Sequence, residues 1–596
     1  MAPAPPPHPV PTGALRRPSG SFRLIFLSLA LGAVIGCLVF GVQNLVVLMQ
    51  RAILGFAAER RVVLPDHASY LRIFLALAAS GLLLALLAPL FSRKDGPPPI
   101  DAVEANALRG GTMQWFDAIA VVLPILLSVC FGASVGIEAA VTQIGAVLAS
   151  RLGRLLKRPR SDLRILVGAG AAAAIAAAYR APIAGVLYAF ELVIGTYAKR
   201  TLAPVGAAAL AAVLTMWLLS GQDKPFQLDS PVRAGWIDYP IAILIGLVAA
   251  CLGIAIMLLV TAVERWTKPM PGGDAAARVV VAGLLTLLAL RYPAVLGSGH
   301  AAIERAAHGD IVGRQALGLL GAKSLASAAS LGTGFRGGLF SASLMIGALL
   351  GQVMSWALSA IPGVTVEPNL CAIVGMAALG ASIIGSPLAM VFLVLETTGD
   401  FDAAVLIAMG AVTASFLTDR LFGYSFATWR FQQRGLAIDG GQDISRLSST
   451  TIESLIRAPG QVVGPSAPLR SVIPALSRAG TRGTVVEDEK GRFLGVVDPA
   501  LVEVAAAAED ELPLVAADLV HATNPAIVPT TTLSEITALL SADDRTTLAV
   551  FDPKRTGRIV GCVRARDVFA LASEVSDAQR QEELGLAGSQ WPRSTT

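Results

Sequence analysis

The chain has 596 residues, of which 54% are hydrophobic and only 15% are charged, against about 25% charged residues in an average soluble domain. This composition excludes a purely soluble protein and indicates one that crosses a membrane several times. The five cysteines form no CxxC pair and no histidine lies in an HExxH motif, so the sequence predicts neither a metal site nor a disulfide framework.

Charge divides the chain into two parts. From Ala437 onwards there are 15 Lys or Arg and 21 Asp or Glu, whereas the whole chain has a net charge of +5. This partition predicts a basic membrane body followed by an acidic soluble tail, without a nucleic-acid-binding module. The proline-rich residues 1–21 cannot form a helix and are predicted to be a disordered arm.

Apolar runs of membrane length fill most of residues 22–435 and predict ten or more helices. Several runs are interrupted by Gly or Pro, which is typical of broken or re-entrant helices that line a cavity. The segment "RLGRLLKRPRSDLR" (151–164) has six basic residues and one acid. The positive-inside rule therefore places this loop in the cytoplasm, together with both termini, and a cell inner or plasma membrane is expected.

The membrane part repeats itself. "GIEAAVTQIG" (136–145) aligns with "GLFSASLMIG" (338–347), and "RAPIAGVLYAFE" (180–191) aligns with "GSPLAMVFLVLE" (385–396) at almost the same offset. These matches predict repeats at about 22–225 and 237–435. Duplicated halves with glycine-interrupted helices at corresponding places indicate a binding site between the halves, near the membrane midplane.

A single charged residue, Glu138, lies in the apolar run from 118 to 150. A charge in a bilayer is costly unless it faces water, a partner or a substrate. Four hypotheses explain it: a salt bridge to another helix, a serine hydrolase built on the GxSxG match at Ser134, a membrane metalloprotease, and a gate in an ion pathway. The membrane-helix flanks do not provide the strand–turn–helix context of the hydrolase, and a metalloprotease would need HExxH.

The glycines around Glu138 favour the gate. Gly132 and Gly136 precede one apolar helix, and Gly337 and Gly338 precede its repeat mate. Glycine exposes backbone N–H groups at a helix start, and two such N-termini meeting at the midplane would bind an anion. A carboxylate there would imitate the anion and close the path, and protonation would release it.

The soluble tail shows the same order of helix and strand patterns twice, over 448–508 and 517–575. We expect a tandem α/β repeat, joined to the membrane part by a linker at 436–447 and followed by a disordered tail at 576–596.

These features resemble the CLC family of chloride channels and chloride/proton antiporters. "GIEAA" (136–140) is similar to the family's GREGP segment, "GGLFSA" (337–342) to its GxFxP segment, and "LFGYSFATWRF" (421–431) to its last membrane segment. The resemblance implies an all-α polytopic domain of two inverted repeats over 22–435, in a homodimer with one pathway per subunit and no enzymatic activity. It implies Glu138 as gate and proton acceptor, with anion-binding positions at Gly136, Ile137, Ala139, Gly338, Leu339, Phe340 and Tyr424.

Three departures from the family pattern bear on selectivity and coupling. Pro97 stands nearest to the place of the family's anion-coordinating serine, and the resemblance associates a proline there with nitrate. Arg336 replaces a small apolar residue and either adds positive potential to the path or pairs elsewhere. Leu192 occupies the position at which antiporters of the family often carry an inner, proton-relaying glutamate.

The tail resembles a pair of CBS domains. Gly561 and Asp567 fit the nucleotide-binding pattern of such domains, but Arg564 stands where a hydroxyl belongs, so adenine-nucleotide binding and a plain dimerisation role both stay open. The sequence thus predicts a dimeric channel for chloride or another small anion, gated by Glu138. The alternatives are a proton-coupled antiporter of chloride or nitrate and a secondary transporter coupled to cations or protons.

Overall fold

The computed structural model describes most of the chain from residue 19 to residue 583, in segments that are 19–58, 69–91, 99–222, 226, 235–267, 273–362, 364–434, 447, 450–479, 483–489, 491–498, 501–503, 505, 514–520, 527–541, 546–552 and 559–583. Residues 1–18 of the predicted arm, Pro97 and almost all of the predicted linker lie outside these segments. The chain forms two compact units, Met1–Gln442 and Asp443–Thr596.

The secondary structure described for the first unit is mainly helical. Among the described residues, the first half contains the helices α1 Ser19–Leu54, α2 Tyr70–Phe91, α3 Ala102–Arg109, α4 Trp115–Cys130, α5 Glu138–Leu155, α6 Arg160–Tyr179, α7 Pro182–Tyr188 and α8 Lys199–Ser220. The described part of the second half contains α9 Asp238–Thr267, α10 Gly273–Arg291, α11 His300–Ala307, α12 Gly313–Gly332, α13 Phe340–Leu358, α14 Pro368–Ile384, α15 Pro387–Thr398, α16 Ala404–Leu421 and α17 Phe426–Gln433.

The two halves repeat the same packing. Helix α5 packs on α6 as α13 packs on α14, and α1 packs on α8 as α9 packs on α16. Small residues allow the closest of these approaches, because a Cβ on Gly145 would lie 2.3 Å from the Gly170 carbonyl oxygen and one on Gly347 would lie 2.3 Å from that of Gly375. The duplication predicted from the sequence is therefore visible because corresponding pairs of helices pack together in both halves.

The lengths of the helices divide them into two groups. Seven of the described helices are long and apolar enough to cross a membrane, whereas the apolar helices Trp115–Cys130, Pro182–Ile194, Pro368–Ile384 and Pro387–Thr398 are shorter. Short helices at membrane depth have backbone ends inside protein, where neighbouring helices must satisfy them. The prediction of broken helices agrees with this mixture.

Three boundaries differ from the sequence expectation. Helix α1 begins at Ser19, so the last residues of the predicted arm are helical. The predicted basic loop 151–164 consists mostly of helix ends, since α5 reaches Leu155 and α6 begins at Arg160. Apolar residues continue between the basic ones there, and the buried Leu163 and Leu166 anchor the start of α6.

The second unit contains two small α/β layers. In the first, β1 (Gln461–Val463) pairs in parallel with β2 (Thr484–Glu487), and β2 pairs antiparallel with β3 (Phe493–Val496), beside helix α18 (Leu469–Ala479). In the second, β4 (Thr547–Phe551) pairs antiparallel with β5 (Ile559–Arg564), and helices α19 (Leu533–Ser541) and α20 (Ala565–Glu583) accompany them. Ile527 pairs in parallel with Val550, which repeats the β1–β2 contact and supports a tandem repeat.

The N-terminal segments of these two layers are exchanged. Residues 451–457, which the sequence assigned to the first repeat, pair with the second through bridges Thr451–Thr532 and Arg457–Cys562. Conversely, Val515 and Val520 pair with Pro468 and Val497 of the first layer. Sequence order cannot show such an exchange, because either segment can cover an open strand edge of either layer.

Helix α20 also corrects the C-terminal boundary. It continues to Glu583, so residues 576–583 are helical and not part of a disordered tail. The buried residues Val568 and Val575 lie two turns apart on one face and hold the helix to the apolar core of the second layer.

Candidate functional site

The two halves of the first unit meet at a pair of glycines. The Gly136 N–H donates to the Gly338 carbonyl at 3.0 Å, and the Gly338 N–H donates to the Gly136 carbonyl at 3.3 Å. Helix α5 begins two residues after the first glycine and α13 begins two residues after the second. The helix starts that the sequence paired by alignment are therefore joined by reciprocal hydrogen bonds, and we call this contact the glycine seam.

Glu138 is the first residue of α5 and is only 3% exposed. The Tyr179 hydroxyl, at the end of α6, donates to Glu138 Oε1 at 2.7 Å. The second oxygen, Oε2, has no hydrogen-bond partner among the described protein groups. The carboxylate is thus held from one side by a neutral donor, and among the described residues it makes no ion pair with a basic side chain.

Aromatic rings surround this carboxylate. The Tyr179 ring lies 5.2 Å from the Phe340 ring and 5.9 Å from the His300 ring, between centroids, and the Tyr188 ring lies 6.1 Å from Phe340. His300 Nδ1 lies 2.5 Å from the Ser298 hydroxyl. Sequence reasoning missed Tyr179, which lies 41 residues after Glu138 at the end of the alanine-rich helix α6.

A buried lysine supports the loop that carries His300. Lys323 is 0% exposed, and its ammonium group donates to the carbonyl oxygens of Gly297 at 2.7 Å and Val295 at 3.3 Å. The "GSGH" segment at 297–300 is therefore fixed against α12, and α11 begins at His300 itself.

A second contact between the halves involves two other glutamates. Glu396, at the end of α15, accepts from the Ile183 N–H at 3.0 Å and the Ala184 N–H at 2.8 Å, at the start of α7. Glu191 accepts from the Leu388 and Ala389 N–H groups at 3.1 and 3.0 Å, at the start of α15, and from the Ser386 hydroxyl. Each half thus caps a helix of the other, and we call this contact the glutamate lock.

The predicted anion-binding positions divide into three groups. Ile137, Ala139, Leu339 and Phe340 lie on the first turns of α5 and α13 or just before them, where N–H groups have no partner within the helix. Gly136 and Gly338 use their N–H groups in the glycine seam, so these two N–H groups are not free as donors to an anion. Tyr424 is half-buried and contacts the rings of Phe422 and Trp429 rather than those beside Glu138.

The two selectivity positions are placed unequally. Arg336 is exposed, and its backbone N–H donates to the Ser128 hydroxyl at 2.9 Å. Arg336 is therefore only two residues from Gly338 in the sequence, but its side chain is not buried at the glycine seam. Pro97 lies outside the described residues, so its predicted role stays a prediction.

Leu192 lies in a π-helical turn, Ala189–Ile194, that extends α7. Leu192 is 7% exposed and belongs to an apolar cluster with Ile100, Met113, Val147 and Val167. The side chains packed in this cluster are apolar except for Tyr188, which lies at its edge, whereas Glu191, one residue before Leu192, is engaged in the glutamate lock.

The two nucleotide positions of the second unit both have structural explanations. The Arg564 guanidinium donates to both carboxylate oxygens of Asp567, at 3.0 and 3.2 Å, and this hydrogen bonding lowers the pKa of Asp567 below its usual value. A Cβ on Gly561 would lie 2.5 Å from the Arg457 carbonyl oxygen, so a glycine is required by the exchanged segment.

The contacts of Glu104 and Ser134 bear on two of the four hypotheses for Glu138. A buried glutamate with a basic partner is present at Glu104, which binds Arg434 through two bonds of 3.1 Å. The hydroxyl of Ser134, the hydrolase candidate, lies 3.1 Å from the Ser327 hydroxyl. Among the described residues, no hydrogen bond joins Ser134 to a histidine. Glu138 itself is bonded to a tyrosine, Tyr179, and this contact does not fit the salt-bridge hypothesis.

Comparison with known proteins decides the family. Residues 80–419 match the family described as "Voltage gated chloride channel". The chain belongs to the CLC family. The matched range includes Glu138, both sides of the glycine seam and the glutamate lock, and it ends before Tyr424.

Individual CLC proteins are similar over most of their own length. The "Voltage-gated ClC-type chloride channel ClcB" of Citrobacter koseri is 31% identical over 333 residues, which are 54% of this chain and 78% of that protein. The structure of a slow cyanobacterial Cl⁻/H⁺ antiporter fits with a TM-score of 0.57 at 20% identity, covering 69% of this chain and 98% of the other.

A third comparison extends beyond the membrane unit. The structure of a eukaryotic CLC transporter fits with a TM-score of 0.58 at 18% identity, covering 92% of this chain and 98% of the other. Because the first unit ends at Gln442, a fit over 92% of the chain must include much of the second unit. The fold of this CLC protein is therefore an all-α polytopic membrane unit with a small α/β unit at its C-terminal end.

Proposed function

We propose that this CLC protein conducts chloride or a similar small anion through a path that passes the glycine seam, and that Glu138 gates the path by binding a proton. The carrying observation is the state of the Glu138 carboxylate. It is buried at a helix N-terminus, it is bonded to a tyrosine and to no basic residue among the described ones, and its second oxygen has no described partner. An ionised carboxylate there competes with an anion for the first-turn N–H groups, and a protonated one does not.

The surroundings of Leu192 favour passive conduction or loose proton coupling over tight exchange. A proton crossing an apolar cluster needs a relay, because an isolated charge in such surroundings is very costly. Antiport of chloride or nitrate remains the second candidate, since Tyr179 and His300 provide polar groups on another side of Glu138.

The test is anion efflux from proteoliposomes with proton movement recorded at the same time. Under opposed gradients we expect the reversal potential to follow the anion gradient and to respond only weakly to the pH gradient. A reversal potential that follows both gradients equally would establish tight exchange, and one that ignores anions would favour a cation- or proton-coupled transporter.

Anion preference is tested separately. The resemblance of Pro97 to the nitrate-associated proline leads us to expect that nitrate competes well with chloride in the wild-type protein, and that Pro97→Ser shifts the preference toward chloride. Equal selectivity of the two proteins would exclude this position from the filter. Tyr424→Phe provides the matching test for the other predicted ligand.

We further propose that the protein is a homodimer in a cell inner or plasma membrane with cytoplasmic termini, and that the second unit is a regulatory CBS pair. The tandem α/β arrangement and the acidic composition of the tail support this. Deletion of residues 440–596 should leave a conducting dimer with altered regulation. Loss of flux from a well-folded truncated protein would contradict an independent regulatory role.

A further inference from the structure

Two buried polar atoms beside the gate lack a hydrogen-bond partner among the described protein groups. They are Glu138 Oε2 and the Ser341 hydroxyl oxygen. Glu138 is 3% exposed, and Ser341, on the first turn of α13, is 0% exposed. Buried polar atoms in native proteins almost always have a partner, either protein or ordered water, so this pair calls for an explanation.

The two atoms face the same point across the glycine seam. A Cβ placed on Gly136 would lie 2.1 Å from Glu138 Oε2 and 2.7 Å from Ser341 Oγ. The two oxygens are therefore separated by no more than the sum of these distances, yet they make no direct hydrogen bond. One water molecule bonded to two oxygens holds them roughly 4 to 5 Å apart, which is a separation that this limit allows.

We propose that one water molecule binds between Ser341 Oγ and Glu138 Oε2, and that Ser341 is thereby a positioning residue that sets the pH at which the Glu138 gate opens. This inference rests on the proposed function. A buried water is stable when two or more polar groups bind it, and both are present here. The water donates to the carboxylate and so favours its ionised, path-closing form, and the Ser341 hydroxyl holds the water in place.

The other groups around Glu138 act elsewhere on it. Tyr179, on α6, occupies Oε1. Tyr188, on α7, lies within electrostatic reach of both Glu138 and Asp101, the residue that caps α3. His300, at the start of α11, faces the Tyr179 ring. Ser341 is thus the side chain that faces the second carboxylate oxygen from the opposite half.

Helix α13 offers a matched control. Ser343 is also 0% exposed, but its hydroxyl donates to the Phe340 carbonyl oxygen at 2.7 Å. Ser343→Ala removes a buried hydroxyl from the same helix that is bonded to a backbone carbonyl and not to Glu138. Any general effect of losing a buried serine is therefore common to both variants.

The experiment measures the pH dependence of chloride efflux from proteoliposomes for the wild type, Ser341→Ala, Ser341→Gly, Ser343→Ala and Glu138→Gln. Loss of a donor to the ionised carboxylate makes protonation easier, so both Ser341 variants should reach half-maximal flux at a more alkaline pH, by roughly half to one unit. Ser343→Ala should keep the wild-type midpoint. Adding Ser341→Ala to Glu138→Gln should change nothing further.

The inference is overturned if both Ser341 variants keep the wild-type midpoint, or if Ser343→Ala shifts it equally, while Glu138→Gln is insensitive to pH. The proposed function would survive that outcome. If Glu138→Gln itself keeps the wild-type pH dependence, the gate and the role of Ser341 are both refuted.

Discussion

The glycine seam and the glutamate lock are both places where the two halves of the membrane unit meet at carboxylates, but their carboxylates are satisfied differently. In the lock, Glu191 and Glu396 each accept two backbone N–H bonds from the start of a helix in the opposite half. In the seam, Glu138 accepts one bond from Tyr179 and has a second oxygen without a described partner.

The two contacts therefore differ in how completely their carboxylates are hydrogen-bonded, and burial or position alone does not show this difference. A full set of donors stabilises the charged form of a carboxylate, and the carboxylate in turn fixes the elements that donate to it. A carboxylate with an incomplete set of donors loses fewer hydrogen bonds when it is protonated or when it moves. The duplication places a glutamate of the first kind in each half, whereas a glutamate of the second kind is present in the first half and is replaced by Phe340 in the second.

The largest effect is expected from removing half of the lock. Glu396→Ala leaves the Ile183 and Ala184 N–H groups without their acceptor inside the membrane unit. Loss of these two charge-assisted bonds should destabilise the fold by about 3 kcal/mol, seen as a lower unfolding temperature in detergent. Glu367→Ala is the control, because Glu367 lies at the N-terminal cap of α14 but makes no side-chain capping bond. Equal unfolding temperatures for the two variants would show that the glutamate lock does not stabilise the fold.

A smaller effect on stability but a large one on flux is expected at the seam. In Gly136→Ala, the atoms nearest to the new Cβ are the ends of two side chains, Glu138 and Ser341, so the protein should fold while Glu138 is displaced. Flux at neutral pH should rise severalfold. Gly337→Ala is the contrast, since its Cβ would lie 2.5 Å from Val135 Cβ and 3.0 Å from a backbone oxygen. A Gly136→Ala protein with wild-type flux and pH dependence would show that the Glu138 position does not control the path.

Removal of the Tyr179 hydroxyl should have a moderate effect. Tyr179→Phe keeps the ring contacts with Phe340 and His300 but removes the donor to Glu138 Oε1. Protonation of Glu138 then becomes easier, so the half-maximal pH of anion flux should move toward alkaline values by up to about one unit. Tyr239→Phe, which alters a tyrosine packed on Trp236, should leave the midpoint in place; a shift of equal size in both would disprove a specific role.

The smallest effect concerns the second unit. Asp567 has both oxygens bonded to Arg564, so by the same criterion it is structural, and we expect no heat of ATP or AMP binding in calorimetry on the wild type. Because the pairing lowers the pKa of Asp567 from 3.8, it contributes stability above that pH and loses it as the pH falls through the lowered value. Arg564→Ser frees the carboxylate and restores the hydroxyl of the nucleotide pattern. Nucleotide binding by the wild type would contradict the criterion.

Much of this arrangement was predictable from the sequence. Apolar length and glycine spacing predicted the broken helices, and two aligned segment pairs predicted the duplication that the helix packing confirms. The lone Glu138 stood out because it interrupts a long apolar run. Glu191 and Glu396 end the second pair of aligned segments, but the alignment does not show that each caps a helix of the other half.

The features of the site that could not be predicted from the sequence depend on contacts between residues far apart in the chain. No local pattern connects Tyr179 or Ser341 with Glu138, because tyrosine and serine are ordinary residues in membrane helices. The mutual bonding of Gly136 and Gly338 is likewise set by the approach of two helix starts. In the second unit, the exchange of residues 451–457 and 514–520 preserves every local pattern and changes only which strand edge each segment covers.

The central claim is that Glu138 is the protonatable gate whereas the lock glutamates are structural. The most direct test is chloride efflux from proteoliposomes across a pH series for the wild type, Glu138→Gln and Glu396→Gln. We predict that flux through Glu138→Gln is as large as the acid-activated wild-type flux and no longer depends on pH, and that Glu396→Gln keeps the wild-type pH dependence. A Glu138→Gln protein that retains the wild-type pH profile would contradict the account.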